Sequence, residues 1–212
     1  MNIVFLGPPG SGKGTQAKGV ADKFGLSHLS TGDAFRDAIN GQTELGLEIK
    51  AYVDNGKLVP DELVSKVVFE KIASLKNGFL LDGYPRTVDQ AKALDGFAKR
   101  RNIAVDAVVF FDVAFDELMK RLTARRQCPK CKEVYNLVNK PPKTADVCDK
   151  CQTALVHRPD DQPNIISERL KIYTLQTEPV LNFYKDHKGF RKINAAQPIE
   201  QVSADIQAAL KA

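Results

Sequence analysis

Seven residues, Gly7-Pro8-Pro9-Gly10-Ser11-Gly12-Lys13, have the form GxxxxGK and lie between a short apolar run and an amphipathic one. Glycines at this spacing let successive backbone N–H groups turn inward around a phosphate. The N-terminus of the following helix adds positive potential, and Lys13 adds a point charge. Gly10, Ser11, Gly12, Lys13, Gly14 and Thr15 are therefore the candidate contacts to nucleotide phosphates. The strict motif has Ser or Thr directly after the lysine, where its hydroxyl binds Mg²⁺. Here that position is Gly14, and the hydroxyl comes one residue later at Thr15. The plain alternative is a glycine-rich structural turn, which the strand-to-helix placement disfavours.

A second pattern, Cys128-x2-Cys131-x16-Cys148-x2-Cys151, has the spacing of a tetrahedral all-cysteine zinc site. Four thiolates close the coordination shell and leave no position for a catalytic water, so the metal is expected to be structural. It would fold a segment too small and polar to make its own core. Two local disulfides, or iron in place of zinc, are the alternatives.

Something must hold these patterns in place. Asn2 to Leu6 reads as a buried strand, and Thr15 to Phe24 as a helix stopped by Gly25. Further strands are expected at Ser27–Ser30, Gly78–Asp82, Ala104–Asp112 and Phe190–Asn194. Helices are expected at 32–39, 45–54, 61–75 (opened by Pro60-Asp61-Glu62), 88–100, 115–126, 164–185 and 199–210. Nearly all-apolar strands alternating with helices predict an α/β fold of the P-loop NTPase type, a parallel sheet with helices on both faces. Residues 127 to about 157 break this rhythm and read as a small insertion.

The chain has 212 residues, 43% of them apolar, which suits one domain with a core and excludes wholesale disorder. No apolar run approaches the ~20 residues of a membrane span. The run Ile3–Leu6 stops at Gly-Pro-Pro-Gly without a basic flank, so it is not read as a signal peptide. A cytoplasmic protein with no membrane partner is expected. The formal charge of +5 is ambiguous until the charges have positions.

Six segments in collinear order carry a resemblance. They are Gly7-x-Pro9-Gly10-x-Gly12-Lys13-Gly14-Thr15, Ser30-Thr31-Gly32-Asp33-x-x-Arg36, Lys57-Leu58-Val59-Pro60-Asp61, Leu81-Asp82-Gly83-Tyr84-Pro85-Arg86-Thr87, Arg125-Arg126 and Arg158-Pro159-Asp160-Asp161. Together they closely resemble the adenylate kinase family, in its long bacterial form with a metal-bound lid. The resemblance implies reversible phosphoryl transfer from Mg-ATP to AMP, with ATP, AMP and ADP as partners. It implies residues 1–29, 60–126 and 159–212 as the core, 30–59 as the AMP-binding region and 127–158 as a zinc-binding lid.

Phosphoryl transfer crowds negative charges, so positioning and cationic stabilisation make up most of the chemistry. Lys13, Arg36 and Arg86 fall near the C-terminal ends of strands, where ligands of open α/β sheets collect. By the resemblance, Arg36 and Arg86 hold the AMP phosphate. Thr31, Lys57, Leu58, Val59, Gly83, Tyr84 and Pro85 line the AMP site, and Gln90 reads adenine. Asp82 would orient Mg²⁺ through water. Arg121, Arg125, Arg158 and Arg169 are the ATP-side and lid arginines, the first two on one face of the expected helix 115–126. Arg158 and Arg169 also count as substrate contacts. Val134, Tyr135 and Gln197 fall where the family contacts ATP, though a lysine is expected in place of Gln197. Lys13, Asp82, Arg86, Arg125, Arg158 and Arg169 form the catalytic set.

Asp160 and Asp161 match carboxylates that meet arginines on lid closure, or else cap the helix near Asn164. Ala124 stands where a glycine is common, and His28, His157 and His187 receive no role. Setting aside seven cations for phosphates (Lys13, Arg36, Arg86, Arg121, Arg125, Arg158 and Arg169) leaves 24 of the 31 basic residues against 26 acidic ones. That balance favours a nucleotide pocket over a nucleic-acid surface, and a monomer is expected. The rival readings are a kinase acting on GMP, UMP or CMP, and a P-loop nucleic-acid-binding protein using the cysteine segment as a zinc ribbon. Tyr135 is the single aromatic in that segment, a poor stacking platform for bases.

Overall fold

A computed structural model describes residues 1–211. Strand β1 (Ile3–Leu6) is buried along its whole length. Side chains alternate across a strand, so Ile3 and Phe5 enter one core cluster while Val4 and Leu6 enter another. Both faces being buried explains why the strand reads as an unbroken apolar run. The remaining strands of the sheet are β2 (Ser27–Ser30), β3 (Phe79–Asp82), β4 (Ala107–Asp112) and β7 (Phe190–Asn194). All pairings are parallel, in the order β2-β3-β1-β4-β7, with Ile3 opposite Leu80 on one side and Ala107 on the other.

Helices α1 (Lys13–Phe24) and α9 (Ile199–Lys211) cover one face through Ala17, Val20, Val202 and Ile206. Helices α4 (Asp61–Ala73), α5 (Val88–Arg101) and α8 (Val180–Tyr184) cover the other. Phe69 and Phe97 stack there at 4.3 Å between ring centroids. Helix α1 ends where Gly25 takes a left-handed φ of 65° and its N–H closes on Ala21 O. Two helices, α2 (Thr31–Asn40) and α3 (Glu44–Asp54), stand beyond the end of β2, capped by the Ser30 and Thr43 side chains. Strand order reverses about β1, so the loop after β1 sits at the switch point where open sheets take their ligands.

Two sequence expectations fail. The helix expected to run to Arg126 is α6 (Phe115–Thr123), capped at Ala124. The chain then turns into β5 (Arg125–Gln127), which pairs antiparallel with β6 (Val134–Asn136). Arg121 and Arg125 therefore do not share a helix face. The partner strand comes from beyond the first cysteine pair, so local periodicity could not reveal it. The helix expected over 164–185 is broken into α7 (Pro163–Ile172), a π turn (Tyr173–Thr177) and α8. Pro179 has no N–H to continue the ladder, and Glu178 N reaches back five residues to Tyr173 O at 2.8 Å.

Candidate active site

The loop between β1 and α1 takes the shape its glycines permit. Gly10 adopts a φ of 84°, and a Cβ there would lie 2.8 Å from Leu122 Cγ, so a side chain would be both strained and crowded. Lys13 Nζ donates to Gly7 O at 2.7 Å and Pro8 O at 2.8 Å, folding over its own loop. Burial presses the Lys13 pKa down to about 8; Asp82 opposes this, while Arg86, Arg169 and Arg125 add to it. Asp82, at the end of β3, sits 3.7 Å from His28 Nε2. Burial would raise its pKa, but contact with His28 and the charges of Lys13 and Arg86 hold it below the usual carboxylate range.

Gly14 has a spatial role. A Cβ at this position would stand 3.3 Å from Asp82 Oδ2, so the bare Cα keeps a small space open beside the carboxylate. A hard carboxylate oxygen beside such a space suits a hydrated Mg²⁺.

Arginines converge from distant segments. Arg86 Nε donates to Gly83 O at 2.8 Å, and Thr31 Oγ1 donates to the same carbonyl at 2.9 Å. Arg36 pairs with Asp33 at 2.6 Å and lies 4.0 Å from Asp160. Arg125 binds Asp161 through both ends of its fork, at 2.7 and 2.5 Å. Arg169 Nη1 reaches both Asp160 Oδ2 and Asp161 Oδ1 at 3.0 Å. Arg158 Nε donates to Gln127 Oε1 at 2.8 Å.

Burial, aided by neighbouring arginines, lowers the pKa of Arg86, Arg158 and Arg169. For Arg125, burial also acts downward, but Asp161 outweighs it and the net shift is upward. Guanidinium nonetheless keeps its charge at any working pH. The helix-capping alternative for Asp160 and Asp161 fails. The residue before α7 is Gln162 with no side-chain cap, and both carboxylates serve arginines instead.

These groups face one cavity of about 1140 Å³, larger than the ~300–1,000 Å³ of ordinary ligand pockets. All the sequence-derived nucleotide and catalytic candidates line it except Tyr84. Tyr84 is fully buried, its hydroxyl bonded to Ser65 Oγ at 2.9 Å and donating to Gln90 O at 3.2 Å. It supports the site from behind. Three of the expected ATP contacts also line the cavity with engaged side chains. Tyr135 packs with Cys128, Cys148 and Leu155, and its hydroxyl accepts from Asp149 N at 2.8 Å. Gln197 Nε2 donates to Asp205 at 2.8 Å. Arg121 is tethered to Glu117 and Ala195 O, each at 2.9 Å.

Sequence reasoning missed His28, Tyr173 and Thr177 as lining residues. His28 carries a signal in hindsight, being a polar residue inside a short sheet strand. Tyr173 and Thr177 enter through the π turn, which leaves no plain trace in the sequence.

The cysteines also meet. Cys128 Sγ lies 3.4 Å from Cys151 Sγ, Cys131 Sγ lies 3.5 Å from Cys148 Sγ, and all four fall within 4.8 Å of one another. A zinc–sulfur bond of ~2.3 Å sets tetrahedral sulfur separations of roughly 3.8 Å, so the set fits a four-thiolate ion. A disulfide needs ~2.05 Å, which removes that alternative. Nearby lysines have acidic partners: Lys132 pairs with Asp37 at 2.5 Å, and Lys140 and Lys150 each pair with Glu133 at 2.6 Å.

Fold and site together define a phosphate-loop α/β protein with a cationic cleft at its switch point. The family model described as adenylate kinase matches residues 5–189. The chain is 46% identical over 206 residues to an adenylate kinase of Petrotoga mobilis, covering 97% of this chain and 95% of the relative. It is 46% identical over 208 residues to one of Thermotoga maritima (96% and 94%), and 44% identical over 209 residues to one of Clostridium acetobutylicum (98% and 97%). The chain belongs to the adenylate kinase family.

Proposed function

We propose that the protein transfers a phosphoryl group reversibly from Mg-ATP to AMP, giving two ADP, by direct in-line displacement. The observation that carries this reading is the convergence of Lys13, Arg36, Arg86, Arg125, Arg158 and Arg169 on one cavity of two-nucleotide size. Arg36 and Arg86 hold the AMP phosphate so that one of its oxygens attacks the γ-phosphorus. The loop 10–15 and Lys13 hold the β- and γ-phosphates. Arg125, Arg158 and Arg169 neutralise charge on the equatorial oxygens of the transferring group. Asp160 and Asp161 already fix Arg125 and Arg169 in place, which lowers the reorganisation needed at the moment of reaction.

Thr31, Lys57, Leu58, Val59, Gly83 and Pro85 enclose AMP, with Gln90 against its base, and Arg121, Val134, Tyr135 and Gln197 enclose ATP. Mg²⁺ arriving with ATP supplies charge neutralisation at the phosphate chain, and Asp82 with Thr15 would hold its water shell. Cys128, Cys131, Cys148 and Cys151 would hold structural Zn²⁺ and thereby fix residues 127–158 as a lid. The exposed Lys132–Asp37 pair bridges from this segment to α2, and closure of the lid over bound nucleotides would exclude water. The protein works as a cytoplasmic monomer, without nucleic-acid or membrane partners; no helix among the described residues is long and apolar enough to cross a membrane.

A coupled assay with AMP, GMP, UMP and CMP tests the reading. Two ADP per ATP consumed, with AMP as the favoured acceptor, is expected. Sustained turnover on another monophosphate but not on AMP refutes it.

A further inference from the structure

Gln90 is buried, with 2% of its surface exposed, at the third position of α5. Both ends of its amide are already in use. Oε1 accepts from Arg86 N at 2.7 Å, and Nε2 donates to Asp61 Oδ1 at 2.7 Å. Asp61, the first residue of α4, has its other oxygen on the Thr87 hydroxyl at 2.5 Å. That hydroxyl in turn accepts from Gln90 N at 3.1 Å. The ring of contacts joins two helix starts 29 residues apart.

An amide alone does not dictate which end is oxygen. Here its surroundings do. A carboxylate can only accept and a backbone N–H can only donate, so a single orientation satisfies both. Turning the amide over would set Oε1 against the Asp61 carboxylate and the Nε2 hydrogens against Arg86 N–H. One N–H and one lone pair remain, on an amide that lines the cavity.

The chemistry of purines makes that orientation selective. A 6-aminopurine offers a donor at position 6 beside a ring acceptor, which meets the free lone pair and the free N–H. A 6-oxopurine offers an acceptor at position 6, which meets the lone pair and is repelled. Across the N1 edge, where a 6-oxopurine carries an N–H beside its position-6 oxygen and a 6-aminopurine carries a lone pair beside its amino group, a Gln90 free to turn over would serve either base. We propose that Asp61 is a positioning residue that locks the Gln90 amide and so makes the monophosphate site select 6-amino over 6-oxo purines. The inference rests on the AMP-site reading above and adds to it the group that sets its selectivity.

The test compares AMP with IMP as acceptor. An Asp61→Asn variant can present either a donor or an acceptor to Gln90, which removes half of the lock. The AMP-to-IMP ratio of kcat/KM is expected to fall by about tenfold, through the monophosphate KM, with the KM for ATP unchanged. In a Gln90→Ala background the same substitution is expected to leave the ratio unmoved, since Asp61 acts through Gln90. An unchanged ratio in the single variant, or an equal fall in both backgrounds, overturns the proposal.

Should the variant not fold, ¹⁵N NMR of the wild-type side chain decides. One Gln90 Nε2 proton is expected in slow exchange without nucleotide, and fast exchange of both overturns the lock. Absence of AMP-dependent turnover in the wild type would defeat the kinase reading. The NMR result would still judge the lock on its own.

Discussion

Raising the pH singles out Lys13 from the arginines that surround it. Guanidinium groups stay charged, whereas burial among cations brings the Lys13 pKa to about 8 in the free protein. On the proposed reading, nucleotide phosphates would place negative charge beside Nζ and restore the charged form, so binding above pH 8 is expected to take up a proton. At pH 8 about half of the free protein carries neutral Lys13, and at pH 9 about nine-tenths does. The apparent Kd for a non-reactive ATP analogue is therefore flat near pH 6.5 to 7. It rises about twofold by pH 8 and about tenfold by pH 9. Phosphate ionisation, with a second pKa of ~6, is essentially complete by pH 8 and cannot supply the slope between pH 8 and 9.

Isothermal calorimetry at several pH values, in two buffers of different ionisation enthalpy, measures both Kd and proton uptake. About half a proton is expected at pH 8. A flat Kd to pH 9.5 without uptake, or an identical profile in Lys13→Met, would refute the reasoning. Stability of the nucleotide-free protein runs the opposite way. The folded pKa lies below the unfolded one of 10.5, so the unfolded chain binds more protons between about 8 and 10.5. In that window the nucleotide-free protein gains stability from Lys13 as pH rises.

Arg86→Ala removes a cation held at its place by Gly83 O; kcat/KM is expected to fall by about 10³-fold, and near-normal turnover would remove Arg86 from the mechanism. Metal analysis after dialysis is expected to find one zinc per chain. Stripping it should lower Tm and expose amides of 127–158 to hydrogen exchange while the parallel sheet stays protected. Asp161→Asn leaves Arg125 and Arg169 short of a fully buried carboxylate. A loss of about 2–3 kcal/mol, read as a lower urea midpoint at unchanged m, is expected.

The phosphate loop and the cysteine quartet could be read from the chain because each depends on spacing over a few residues. Local backbone freedom makes the loop, and paired CxxC turns make the knuckles. Apolar strands between amphipathic helices likewise declared a parallel sheet, since both faces of each strand must be covered. Tertiary structure decided the rest. Arg125 lies on a strand because β6 pairs with it, and Asp161 meets it across 36 residues. Tyr84 proved to be core, and Tyr173 reached the cavity through a π turn. Read alone, Gln90 would be an ordinary exposed helix residue; burial against Asp61 makes it an oriented amide. Spacing in the chain specifies contacts only where the backbone between partners is short and regular, whereas contacts between distant partners are set by packing.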